Sequence, residues 1–277
     1  MIKIGIIGYG SMGSMLLNSF IASGGVKPCE VIVSTRTKDK LKSVSSKWDG
    51  INIAVDNIEV VKKAKCIFIC VKPQEVEDIL DEIRNFITLD THIVSIAATV
   101  SIENIEKIVN CKITKLTPAI TSEVFDGISL VCHNNKVNRE DAAFLKGLLN
   151  KISIVNIIKE EDFDLAAELT SCAPGFIACI FEEFVNAVLK HTEDMPKQEI
   201  AKMVLRTLYA TSKVFIEKGM TFKEVIDRVA TKGGITEEGV KVLKAKLPQV
   251  FDEMFEQTLN KRKMKKEVID SIFMDFK

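Results

Sequence analysis

Three observations predict an α/β fold in which a doubly wound parallel sheet is followed by an all-α half. Residues 2–8, Ile-Lys-Ile-Gly-Ile-Ile-Gly, form a nearly unbroken apolar run of the kind that fills strands buried on both faces. Short apolar runs then alternate with amphipathic segments to about residue 160, as parallel strands joined by helical crossovers do. Beyond that point the strand-like runs stop, and apolar residues recur at helical spacing.

Taken in order, the first run leads into Gly8-Tyr9-Gly10-Ser11-Met12-Gly13 and then a helix that places Met12, Met15, Leu16, Ser19 and Phe20 on one side and ends at Gly24-Gly25. Further strands are expected at Cys29–Ser34, Ile67–Val71, His92–Ala97, Ile113–Leu116, Ile128–Cys132 and Ile154–Ile158. Helices are expected near 38–47, 57–64, 74–87, 101–109 and 138–151. A Rossmann-type domain over 1–159 and a helical domain over 160–277, joined without a flexible tether, follow from this pattern. In the second half Pro174-Gly175 should kink or restart a helix. Pro196 suits a first helical turn, and Thr221-Phe222-Lys223-Glu224 reads as a capping box.

The composition narrows the function classes. Lys and Arg number 38 and Asp and Glu 38, so no global field draws the chain to nucleic acid or to an anionic membrane. No apolar run reaches the ~18 residues of a membrane span. The first strand begins directly after Met1, which leaves no room for a signal peptide, and a cytoplasmic location is expected. The seven cysteines, Cys29, Cys66, Cys70, Cys111, Cys132, Cys172 and Cys179, show neither C-x-x-C pairing nor histidines at zinc spacing, so they read as free thiols and no metal site is expected.

The glycine turn carries the first functional signal, because it ends an apolar strand and opens an amphipathic helix. Gly8 permits the tight turn, Gly10 lets backbone approach a pyrophosphate, and Gly13 lets helix and strand pack closely; the amides of Ser11 and Met12 then add the positive end of the helix. An acidic residue about 20 residues beyond the glycines usually marks NAD. Here the second strand ends Val33-Ser34-Thr35-Arg36-Thr37-Lys38, hydroxyls and a guanidinium suited to a 2′-phosphate, so NADP(H) is favoured over NAD(H). The competing reading leaves Arg36 and Lys38 as solvated surface. Val71, Lys72 and Pro73 follow another strand and should border the nicotinamide half of the cofactor.

A second constellation lies at Val229-Ala230-Thr231-Lys232-Gly233-Gly234-Ile235-Thr236-Glu237-Glu238-Gly239. Thr236 is placed to be an N-cap, with Glu237 and Glu238 in the first turn. Such a loop either offers amides and hydroxyls to a small carboxylate or simply connects two helices. Cys172 as a nucleophile lacks a neighbouring histidine, and His92, His133 and His191 show no triad-like order.

With these motifs in place, the chain resembles the pyrroline-5-carboxylate reductase family. The resemblance covers nearly the whole chain, through the Gly8 turn, Ser34-Thr35-Arg36, Val71-Lys72-Pro73, Pro118 followed by Gly127, Asp164, Pro174, and Val229 to Lys244. It implies reduction of a cyclic imino acid, 1-pyrroline-5-carboxylate, to L-proline with NAD(P)H, and a helical half that makes a homodimer or higher homo-oligomer. It also implies that Thr236 contacts the ring nitrogen, that Thr231, Gly233 and Gly234 hold the carboxylate, and that Cys172 borders the substrate. Three departures stand out. Thr117-Pro118-Ala119 replaces Met-Pro-Asn, Thr170-Ser171-Cys172-Ala173-Pro174 replaces Ser-Gly-Ser-Gly-Pro, and Lys232 replaces a proline. These changes also resemble the competence-operon branch of the family, so a non-catalytic or altered-substrate dinucleotide-binding paralogue is the alternative.

Overall fold

The computed structural model describes residues 2–37 and 39–275; Lys38 lies outside them. Eight strands form one sheet: β1 (Ile4–Ile7), β2 (Val31–Ser34), β3 (Asn52–Ile53), β4 (Cys66–Ile69), β5 (His92–Ser95), β6 (Lys112–Thr117), β7 (Gly127–His133) and β8 (Ser153–Ile157). The order is β3-β2-β1-β4-β5-β6-β7-β8, so the chain reverses direction across the sheet between β1 and β4. Helices α1 (Ser11–Ala22), α2 (Asp39–Lys47), α3 (Asn57–Lys63), α4 (Val76–Ile83), α5 (Ile102–Ile108) and α6 (Arg139–Leu149) connect the strands.

The apolar strands are two-sided because each face has its own helices. Phe20 and Leu16 of α1 and Leu149 of α6 bury against Ile4, Ile6 and Phe68 on one face. Val60 of α3, Leu80 of α4 and Ile105 of α5 bury against Ile7, Ile67 and Ile69 on the other. A fully buried side chain of this size contributes roughly 1.5–3 kcal/mol, which is why the strands carry so few polar residues.

Two details depart from the expected parallel sheet. β7 runs antiparallel to β6, with Thr117 opposite Leu130. Its connection is the short 3-10 turn Ile120–Val124 rather than a crossover helix, and only antiparallel neighbours can be joined so briefly. β3 was not expected, because a two-residue edge strand paired to Ile32 and Val33 has no periodicity to show.

The second half is helical: α7 (Phe163–Ala167), α8 (Ala173–Val188), α9 (Lys197–Lys218), α10 (Phe222–Val229) and α11 (Ile235–Ile272). A π-turn over Glu168–Cys172 separates α7 from α8. Pro174 explains it, since a proline removes one amide and its ring crowds the carbonyl four residues back, and widening the ladder relieves both. Pro196 caps α9 from the position before its first residue, and Thr221 and Glu224 form the expected reciprocal box at α10.

The chain divides into two compact units. One unit holds the chain to Cys172 together with residues from Leu259 onward, and the other holds Ala173–Thr258. The cause lies at the end of α11, where Ile269 and Phe273 enter the sheet's core. There Arg262 pairs with Glu168, Lys266 with Asp164, and Asp270 accepts from Asn104. Between 173 and 258 only Val185 and Ile200 are buried among the described residues. The stretch Glu160–His191 is long and apolar enough, by length and composition alone, to cross a membrane; the uninterrupted-run criterion misses it because Glu168 and other polar residues break the run.

Candidate cofactor cleft and substrate loop

The glycine turn has the backbone its residues were chosen to allow. Gly8 sits at φ +97°, and a Cβ there would lie 2.7 Å from the Cys70 carbonyl oxygen. A Cβ on Gly13 would lie 2.1 Å from the Gly8 carbonyl oxygen, so helix α1 could not pack this close to β1 with any other residue. At Gly10 nothing lies within 4 Å of the corresponding point. The third position is therefore a structural constraint, while the middle one faces open space that a ligand can enter. Gly10 also holds the N-cap of α1 with no side-chain cap and no acidic residue in the first turn, which leaves the amide end around Ser11 and Met12 for an anion. The turn fits a dinucleotide pyrophosphate.

A cleft of about 550 Å³ continues from this turn past the carboxyl ends of β2 and β4. Ser34, Thr35 and Arg36 line it from β2, and Val71 and Lys72 from beyond β4; Pro73 starts the following 3-10 turn. Ser34 is buried and its hydroxyl donates to Asn57 Oδ1 at 2.6 Å, while Asn57 Nδ2 donates to Glu82 Oε2 at 2.7 Å. Arg36 stands at the rim, its side chain 90% exposed, and pairs with Glu75 Oε1 at 3.1 Å. Sequence reasoning missed Asn57, Glu75 and Glu82. The available signal was Asp56, which caps α3 through the Glu59 amide at 2.7 Å and so marks Asn57 as the start of a helix at the sheet's carboxyl edge.

The second constellation lies in the unit spanning Ala173–Thr258. Gly233 adopts φ +77°, the Gly234 amide donates to the Thr231 carbonyl at 2.9 Å, and a Cβ on Gly234 would lie 2.9 Å from Thr231 Oγ1. Both glycines are thus required by the loop itself. Thr236 is not the N-cap: α11 begins at Ile235, leaving Gly234 at the capping position and Thr236 exposed in the first turn. Glu237, in the first turn, accepts the Gly233 amide of the loop at 2.6 Å.

Cys172 ends the π-turn, with an Arg262 guanidinium nitrogen 3.6 Å from its sulfur. Burial, and then the nearby Glu168 carboxylate, push its thiol pKa upward, so the sulfur is not an activated nucleophile. Among the described residues no group of three or more His, Cys, Asp or Glu side chains is arranged to hold a metal.

Comparison with known proteins carries the assignment further. Residues 3–99 match the family described as NADP oxidoreductase, coenzyme F420-dependent, and residues 160–265 match pyrroline-5-carboxylate reductase dimerisation. The chain is 41% identical to pyrroline-5-carboxylate reductase 3 of Bacillus subtilis (strain 168), over 96% of this chain and 98% of that protein. The chain belongs to the pyrroline-5-carboxylate reductase family. It is accordingly an NAD(P)H-dependent oxidoreductase. It is also 29% identical to ComE operon protein 4 of the same organism, over 92% of this chain and 93% of that one. The fold is that of the Plasmodium falciparum pyrroline carboxylate reductase solved with NADP bound, at a TM-score of 0.82 and 22% identity over 97% and 98% of the two chains.

Ile177, Ile180 and Phe184 of α8 are 45%, 41% and 56% exposed and lie within the dimerisation region. A surplus apolar face of this kind is what an interface between copies covers.

Proposed function

We propose that this protein reduces 1-pyrroline-5-carboxylate to L-proline in the cytoplasm as a homodimer or higher homo-oligomer, with NADPH as the preferred reductant. The observation that carries the reading is the loop before α11. Its left-handed Gly233 and its Gly234, pressed against Thr231, keep a compact set of amides and hydroxyls. The relatives named as pyrroline-5-carboxylate reductases support the same substrate.

The nicotinamide supplies a hydride when bound, and a protonated cyclic imine is already electrophilic, so the protein's share is positioning. The turn from Gly8 to Gly13 holds the pyrophosphate, and Val71, Lys72 and Pro73 border the nicotinamide end. Thr231, Gly233 and Gly234 hold the substrate carboxylate, for which the Gly233 amide must exchange the Glu237 carboxylate for the ligand's. Thr236 orients the ring nitrogen through its hydroxyl, and Cys172 borders the ring. Arg36 receives the 2′-phosphate through forked donors.

An altered substrate is the second reading, and one observation favours it. The Thr117 hydroxyl is buried without a hydrogen-bond partner, and Ala119, at 1% exposure, offers no amide in place of the one lost. NADPH oxidation with racemic pyrroline-5-carboxylate, run beside proline oxidation at high pH, separates the two. Turnover with the five-membered imine supports the first reading, and tight NADPH binding without turnover supports the second.

A further inference from the structure

The rim of the cofactor cleft carries a carboxylate where a phosphate-binding arginine needs to be free. Arg36 is the guanidinium placed for the 2′-position, and its Nη2 lies 3.1 Å from Glu75 Oε1. The other carboxylate oxygen, Oε2, accepts the Lys72 amide at 3.1 Å. Glu75 is thereby held by the backbone of the 3-10 turn Pro73–Glu75 and keeps its place whether or not Arg36 stays with it. The surrounding cleft adds acid rather than base, since Asp56, Asp78 and Glu82 line it with Glu75 against Arg36, Lys40 and Lys72.

We propose that Glu75 is a specificity-determining residue that narrows the discrimination between NADPH and NADH by holding Arg36 away from the 2′-position. With a 2′-hydroxyl in the cleft, Arg36 keeps its carboxylate partner and nothing is lost. With a 2′-phosphate, the guanidinium must leave Glu75, and the anchored carboxylate stays behind as a neighbouring negative charge. Both effects weaken NADPH and leave NADH untouched, so the chain accepts NADH more readily than Arg36 alone would permit. This rests on the reading that Arg36 receives the phosphate.

Glu75→Gln tests it, because the amide keeps an oxygen for the Lys72 N–H and loses the charge. Dissociation constants for NADPH and NADH, measured by calorimetry on the purified protein, are the readout, with the melting temperature as a fold control. NADPH binding is expected to tighten about three- to fivefold, the scale of an exposed ion pair, while NADH stays within twofold. In an Arg36→Ala background the gain should shrink to what the carboxylate's own charge contributes, clearly smaller than in the unsubstituted protein. Equal changes for both cofactors, no change for either, or an undiminished gain in the Arg36→Ala background would each overturn the proposal. Failure of the underlying reading looks different: Arg36→Ala alone would leave the NADPH to NADH ratio where it is in the unsubstituted protein.

Discussion

Thr236→Ala separates a catalytic hydroxyl from a structural one, because the structure removes the confounding role. An N-cap threonine costs roughly 0.5–2 kcal/mol when truncated. Here Gly234 occupies the capping position and Glu237 satisfies the Gly233 amide, so Thr236 caps nothing and lies exposed in the first turn of α11. An exposed substitution away from caps and cores stays within about 0.5 kcal/mol, and alanine's better helix propensity offsets part of that. The melting temperature should therefore be nearly unchanged. If the hydroxyl orients the imine nitrogen, kcat/KM for pyrroline-5-carboxylate falls about ten- to a hundredfold, near 1.4–2.7 kcal/mol of transition-state binding. NADPH affinity should remain intact, and Thr236→Ser should retain most activity. The assay pairs steady-state NADPH oxidation with a thermal melt. Unchanged turnover in the alanine variant, or a serine variant as impaired as the alanine one, refutes the assignment.

Two glycines of the cofactor turn should behave differently. Gly13→Ala places a Cβ 2.1 Å from the Gly8 carbonyl oxygen and should abolish folding or dinucleotide binding, whereas Gly10→Ala meets nothing within 4 Å and should fold normally yet bind NADPH more weakly; equal melting temperatures for the two variants would contradict this. His92 is buried, with its pKa lowered to about 4, first by desolvation. Its unfolded value is near 6.5, so the unfolded chain binds the extra proton first, and stability should be lost as the pH falls from about 6.5 toward 4, by up to about 3 kcal/mol. His92→Gln should flatten that part of a melting-temperature profile. Arg262→Ala leaves Glu168, 2% exposed, without its ion-pair partner. It should cost about 3–5 kcal/mol in chemical denaturation, while Glu168→Gln with Arg262→Met should recover part of the loss; equal losses in both variants would show that the pair's charge is not the cause.

What the sequence reveals here follows how local each cause is. The cofactor turn was legible because it joins one strand directly to one helix, and the Gly13 constraint, the Gly8 carbonyl, lies within that segment; the Cys70 carbonyl that restricts Gly8 comes from beyond β4 and had no local signal. The box at Thr221 was legible for the same reason, with both partners three residues apart. β3 was not, since its two residues are strand only through pairing with β2. Nor was the antiparallel turn into β7, which depends on a connection that carries no helix. Thr236 shows the limit most sharply, because hydroxyl caps are common enough to predict one, yet α11 starts one residue earlier, at Ile235, and leaves Thr236 inside its first turn.

The same distinction governs the function. The dinucleotide turn lies at one strand–helix junction inside the sheet domain, so its backbone follows closely from its glycines. The loop at Thr231–Thr236 belongs to a unit with only Val185 and Ile200 buried between 173 and 258 among the described residues. At roughly 25 cal/mol per Å² of apolar surface, so small an interior leaves the helices dependent on apolar burial they do not find within that unit. Ile177, Ile180 and Phe184, exposed along α8 in the region that matches pyrroline-5-carboxylate reductase dimerisation, are apolar side chains available for such burial.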